Sequence, residues 1–272
     1  MPSMVTDRNY WATYREPVAY WYGKLPPPGK LGVERVFEFA RHILETAERE
    51  QVMRVLGVPA LPPAKNEDEL SWFELSRTWF EREGRLNLFP GHGSMPDRFG
   101  GGWLRLPARL AYYQGDRIVE EDVEDAGDLE KAVVSARGGD PQGIRSTLPI
   151  VLSGGAHNEP DQPLSPGRPP TRETSISLSL YTDIWFPRVQ GLRMGDLSGR
   201  ADEWHPARAR DRLMDNSALA ARHTPRLNRF IETLRDAILE LGGTWDKPDV
   251  DPSYQPMVHG GGILLDYPAA SA

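Results

Sequence analysis

The chain of 272 residues contains no cysteine. That absence removes disulfides, thiolate nucleophiles and cysteine-based zinc or iron–sulfur centres together. It also leans towards a cytoplasmic setting, because secreted chains often rely on disulfides. No run of about 18 apolar residues occurs, so no membrane span is expected. The opening MPSMVTDRNYWATYREP lacks an apolar stretch behind a basic start, so it does not read as a signal peptide. Lysine is scarce. Only Lys24, Lys30, Lys65, Lys131 and Lys247 occur, and arginine supplies the rest of the 32 basic residues. A GC-rich genome explains that bias; guanidinium chosen for bidentate anion recognition is the sharper alternative. The basic residues face 39 acidic ones, and the formal net charge of −7 disfavours a general nucleic-acid binder.

What the chain does have is apolar and aromatic mass. Hydrophobic residues make up 39%, with eight Trp, nine Tyr and eight Phe, which argues for packed layers rather than disorder. The length allows one large domain or two small ones. Residues 9–22, NYWATYREPVAYWY, are β-prone and broken at Pro17. Val33, Val36, Phe37, Ala40, Ile43, Leu44 and Ala47 recur at helical spacing, which predicts a helix over 31–55 ending at Gly57 and Pro59. Asn66 and Glu69 resemble a capping box for a second, aromatic-faced helix that runs to Gly84. WLRLPARLAYY (103–113) reads as a strand bent at Pro107, and 116–130 is acidic.

Residues 135–173 are rich in Gly, Pro, Ser and Asp, and read as a long excursion with one short strand at LPIVL. A structureless stretch of that length is unusual inside a domain, so it is either a linker or a functional flap. The second half is clearer. Ile176, Leu178 and Leu180 alternate with Ser177 and Ser179, predicting a strand over 174–186 stopped by Pro187. Asp215, Asn216 and Ser217 suit the start of a short helix through Arg222. Thr224, with Pro225 behind it, suits the start of another, whose stripe is Leu227, Phe230, Ile231, Leu234, Ile238 and Leu241. A last strand is expected at GILLDY (262–267). The pattern implies an α+β fold, an antiparallel sheet with helices packed mainly on one face and a long Gly/Pro-rich excursion in the middle. Its divisions fall at 1–134, 135–173 and 174–272, which one composite domain could unite.

Chemical motifs are few. HGGG at 259–262 matches the oxyanion-hole motif of lipases and esterases, but that motif precedes a G-x-S-x-G elbow and the rest of the triad. Only ten residues follow Gly262 in the 272-residue chain, and no G-x-S-x-G occurs anywhere. A glycine turn before an edge strand explains HGGG better. GHGSMPDRFGGG (91–102) lacks the lysine of a Walker loop, and the expected order of helix then strand is the reverse of a dinucleotide loop. It reads as a Gly-rich surface loop whose His92, Asp97 and Arg98 remain binding candidates. Glu38, His42 and Glu45 share a helix face but have no second set, so a solvated face is the simpler reading and no metal site is assigned. Arg208, Arg210, Arg212, Arg222, Arg226 and Arg229 form a stripe interrupted by Asp211 and Asp215; local ion pairs account for it.

One segment resists dismissal. YTDIWFPRV (181–189) sets Asp183 and Arg188 beside Trp185 and Phe186 at a strand end, and aromatic–arginine pairs make binding anchors. ARHTPRLN (221–228) follows, and a helix start there would aim backbone N–H groups at an anion with His223, Thr224 and Arg226 around it. Core packing of the two aromatics and helix capping by His223 and Thr224 are the plainer readings. With no complete catalytic constellation, the main expectation is a non-catalytic, cytoplasmic protein-binding protein, an immunity- or antitoxin-like chain that masks a basic partner through its acidic surface. An enzyme with an unfamiliar hydrolytic or group-transfer site is the alternative, built on Asp183, His223 and Arg226 or on His92 and Asp97. A structural or assembly protein, with 135–173 as a docking arm, is the third. No cofactor is implied; a small-molecule ligand stays open.

Overall fold

A computed structural model describes residues 8–9, 11, 16–54, 72–89, 108–123, 150–190 and 213–266. Period-two alternation organises its main sheet. In β1 (Ala19–Leu25), Ala19, Trp21, Gly23 and Leu25 are buried while Tyr20, Tyr22 and Lys24 are half-exposed. β6 (Thr174–Leu180) lies antiparallel to β1, with Trp21 opposite Leu178. β5 (Ile150–Ala156) pairs antiparallel on the other side of β6, with Leu152 also opposite Leu178. The same register puts Tyr22, Ser177 and Ser153 in one row on the other face, where the Ser153 and Ser177 hydroxyls lie 2.7 Å apart. Side chains alternate across a strand, so one face of the sheet is apolar and the other is a ledge of serine and tyrosine.

β2 (Leu86–Phe89) closes one side of the sheet against β5. An open strand edge would invite foreign pairing. Here α3 (Trp72–Glu83) covers it: the Trp72 indole donates to the Leu88 carbonyl at 2.8 Å, and the Ser76 hydroxyl donates to the Asn87 carbonyl. The opposite edge of β1 is shared by two short strands, β9 (Thr244–Trp245) and β10 (Asp249–Val250). The apolar face is packed by α2 (Val33–Arg49) and α4 (Ser217–Glu240), whose stripe Leu227, Phe230, Ile231, Leu234 and Ile238 is buried. Gly23 lets α4 approach: a Cβ there would stand 2.9 Å from the Ile238 methyl. One apolar core runs from Trp11 to Ile263, and the sheet draws strands from both sides of 135–149. The fold is α+β with an antiparallel sheet, as expected.

Several elements differ from their sequence reading. A short α1 (Pro28–Leu31) precedes α2 across Gly32, and α2 stops at Arg49 rather than near 55. Gln51 supplies the stop by adopting φ +55. The Gly-rich excursion contributes a full central strand, because Ser153, Gly154 and Gly155 continue β5 beyond the apolar LPIVL. The strand expected over 174–186 ends at Leu180, and 181–187 turns away beneath α4. The two helices expected on either side of Arg222 are one helix with Pro225 inside it. Proline usually breaks a helix by removing a donor and crowding the carbonyl four residues back. Tertiary bonds from His223 and Thr224, described below, carry this one through.

The C-terminal strand is much shorter than GILLDY. Val258–His259 (β11) and Gly262–Ile263 (β12) form a tight hairpin around Gly260-Gly261. HGGG is therefore a hairpin turn. Its backbone is held from outside: the Trp21 indole donates to the His259 carbonyl at 3.2 Å, and the Trp245 indole donates to the Gly260 carbonyl at 3.0 Å. The Asn228 amide of α4 grips Ile263 twice, donating to its carbonyl and accepting from its N–H, both at 2.8 Å. That grip needs glycine beside it. Gly262 has φ +140, and a Cβ there would stand 2.1 Å from the Asn228 oxygen.

Candidate functional site

The segments YTDIWFPRV and ARHTPRLN meet inside the protein, and no helix start for an anion opens between them. Asp183, Trp185, Phe186, His223 and Thr224 have no exposed surface, and Arg226 retains 6%. The turn at 182–187 places Trp185 under α4, its ring meeting the His223 ring edge-on at 5.2 Å. The Thr224 hydroxyl donates to the Trp185 carbonyl. Asn216, just ahead of α4, donates to the carbonyls of Ile184 and Phe186 at 3.0 and 2.9 Å. The buried Asp183 carboxylate accepts from the Tyr254 hydroxyl at 2.7 Å, and the Tyr254 ring lies 4.6 Å from that of Phe186.

His223 decides what this corner can do. Its Nδ1 stands 2.9 Å from the Leu219 carbonyl, one turn back on α4, and its Nε2 accepts from the Ala111 N–H at 2.7 Å. Nδ1 must carry the proton to serve a carbonyl, so the ring is neutral with both nitrogens committed to backbone. Burial pulls its pKa down to about 3, with the nearby Arg226 charge adding to the effect. A ring so bound has no lone pair left for a reacting group. Because α4 is continuous, no helix N-terminus stands at Thr224 and no free N–H row opens there. Arg188 is half-exposed rather than buried with the others, on β7 (Arg188–Val189), which pairs with β8 (Met214–Asp215) opposite Asp215. Asp215 is held below the usual carboxylate range first by the Ser217 hydroxyl, and then by the Ser217 N–H and the Arg188 charge.

The other sequence candidates separate from this corner. His92, Asp97 and Arg98 lie outside the described residues, as do Arg208, Arg210 and Arg212. Glu38, His42 and Glu45 are exposed along α2. His259 accepts through Nδ1 from the Gly261 N–H at 3.1 Å, inside its own hairpin. Among the described residues no group of three or more His, Asp or Glu could hold a metal ion. Nor is any described helix long and apolar enough to cross a membrane.

Arg226 leads to a region that the sequence did not flag. It donates to the Arg109 carbonyl on β3 (Ala108–Gln114), which forms a hairpin with β4 (Arg117–Val123). Burial lowers the proton affinity of Arg226, with Glu120 opposing and Arg109 and Arg229 adding to the shift. Beside this pair opens a cleft of about 170 Å³ lined by Glu48, Gln51, Met53, Arg54, Arg109 and Asp122. Its ion pairs are loose. Arg54 and Asp122 are 3.7 Å apart and half-exposed, and Arg109 stands 3.6 Å from Glu120. Arg229, outside the lining, makes a tight pair, donating to Glu50 at 2.7 Å. Residues from 48 to 54 and from 109 to 122 meet only through the tertiary fold, so no spacing rule could have joined them. The sequence signals are Arg226 and the acidic run from 116, which contains Asp122.

No family model matches the chain, and no curated protein or solved structure matches it either.

Proposed function

We propose that this chain is a non-catalytic protein-binding protein, of the immunity or antitoxin kind, that engages a basic partner in the cytoplasm. The observation that carries the reading is the acidic strand β4. Glu120, Glu121 and Asp122 are exposed in succession. Among the described residues β4 pairs only with β3, which leaves its outer edge without a partner strand. A strand edge flanked by carboxylates offers backbone pairing together with a field that steers a cationic surface. The net charge of −7 acts in the same direction. The internal bonding of the Asp183–His223–Arg226 corner supports binding over catalysis, since its titratable ring has no free nitrogen.

Co-purification with the products of adjacent genes tests this reading. The expected result is a complex with a basic protein whose association slows at least tenfold between low salt and about 0.5 M salt. The triple variant Glu120→Gln, Glu121→Gln, Asp122→Asn should slow it similarly at low salt while leaving the circular dichroism spectrum unchanged. A partner bound equally well by the triple variant, or a chain inert to every adjacent product, overturns the proposal.

A further inference from the structure

The cleft between the end of α2 and the β3–β4 hairpin combines an unbonded buried donor with a strained backbone position. Arg109 Nε is buried without a hydrogen bond, and the Glu120 carboxylate at 3.6 Å is beyond reach of one. Arg226 Nε, on the residue that donates to the Arg109 carbonyl and outside the lining itself, is buried and unbonded too. Each unsatisfied buried donor costs about 1–3 kcal/mol. Gln51 occupies the position after the helix cap with φ +55, where glycine is the usual residue. A side chain in that conformation costs about 1–2 kcal/mol. A strained residue and an unpaired donor at one cleft point to a ligand that offsets them.

The lining selects the class of ligand. Arg54 and Arg109 supply guanidinium groups, and Glu48 and Asp122 supply carboxylates. A simple anion would meet two carboxylates there, and a simple cation two guanidinium groups. Only a molecule carrying both charges satisfies both sides. The size is also informative: an apolar cavity of about 150 Å³ is known to accept benzene. A cleft of about 170 Å³ therefore suits a ligand of roughly six to eight non-hydrogen atoms. Met53, 2% exposed, is the apolar member of the lining and can carry a small aliphatic group. We propose that this cleft binds a free α-amino acid, its carboxylate held by Arg109 and Arg54, its ammonium by Glu48 and Asp122, and its side chain against Met53. This goes beyond the protein-binding reading and does not depend on it.

Isothermal titration of the full chain with the twenty amino acids, led by L-valine, tests the site. Two analogues complete the set: 3-methylbutanoate, which is valine without its ammonium, and 2-methylpropylamine, which is valine without its carboxylate. The expected result is saturable one-to-one binding of at least one aliphatic amino acid, with each of its half-molecules weakened at least tenfold. Arg109→Gln should weaken the amino acid at least tenfold with an unchanged circular dichroism spectrum. Half-exposed Arg54→Gln gives the same reading should Arg109→Gln fail to fold. Absence of binding by every amino acid overturns the proposal. So does a 3-methylbutanoate affinity equal to that of L-valine, which would mark a simple anion site.

Discussion

Two polar regions meet at Arg226, and they are built on opposite principles. In the 182–190 corner almost every polar group has its partner. His223 spends both nitrogens on backbone, Thr224 closes on Trp185, Asn216 serves two carbonyls and Asp183 takes the Tyr254 hydroxyl. The Trp185 indole N–H and the two side-chain amide atoms of Gln190 are its exceptions. At the neighbouring cleft, ion pairs are 3.6–3.7 Å long, the Arg109 Nε is buried unbonded and a glutamine sits in a left-handed conformation. Satisfied networks fix a core, whereas unsatisfied ones leave free energy available for a ligand. Residue types that look catalytic in sequence thus fall in the saturated region. The open region is made of residues that draw no attention singly.

The largest test of that contrast is a pair of truncations. Trp185→Ala removes a fully buried indole from beneath α4 and should lower unfolding free energy by about 3–5 kcal/mol. Arg54→Ala, whose side chain is 46% exposed, should change it by no more than about 0.5 kcal/mol. Urea denaturation midpoints at constant slope measure both. Similar losses for the two variants would erase the distinction between a structural corner and a cleft free for binding.

A smaller effect comes from acid. His223 takes up its proton near pH 3 when folded, against 6.5 for a freely solvated histidine. Between those limits the unfolded chain binds the extra proton, so stability falls as pH falls. The contribution is whole above about pH 6.5 and drains away by up to about 1.4 kcal/mol per pH unit on the way down. Asp215 and Glu34, both lowered from values of 3.8 and 4.5, also lose stabilisation in acid, but chiefly below that upper window. Stability measured from about pH 6.5 to 5 therefore reports His223. The slope in that range should be visible in the natural chain and flatten in His223→Gln. A slope shared by both proteins would mean that the ring titrates in contact with solvent.

The sequence allowed part of this to be read. Period-two alternation located β1 and β6, and the 3.6-residue stripe from Leu227 to Ile238 located the body of α4, because burial on one face imposes those periods. Asp183, Trp185, Phe186, His223 and Thr224 come together because 181–187 turns beneath the first turns of α4, which carry 221–228. Their roles were not legible. A histidine that donates to the carbonyl one turn back has the same letter as a catalytic one, and Pro225 reads as a helix start until Thr224 is seen bonded across to Trp185. Gly154 and Gly155 hid the second half of β5, because glycine carries no strand propensity and the pairing partners lie on β6 and β2. As a site the cleft is not legible, because its two walls are separated by more than fifty residues of chain; only Arg226 beside it and the acidic run containing Asp122 stand out.

The finest test turns on Gln51 alone. Its φ of +55 is natural for glycine and costly for glutamine, so Gln51→Gly should stabilise the fold by about 1 kcal/mol. The gain will be partly offset because glycine also has more freedom to lose from the unfolded chain. A chain that carries glutamine there forgoes stability, and the cleft explains why: the Gln51 side chain is part of its lining. Two measurements on one variant then separate the causes. If Gln51→Gly raises the urea midpoint and weakens amino-acid binding, the residue trades stability for ligand. If the midpoint rises while binding is unchanged, the strained turn serves only to end α2, and the cleft owes its selectivity to the charged side chains around it.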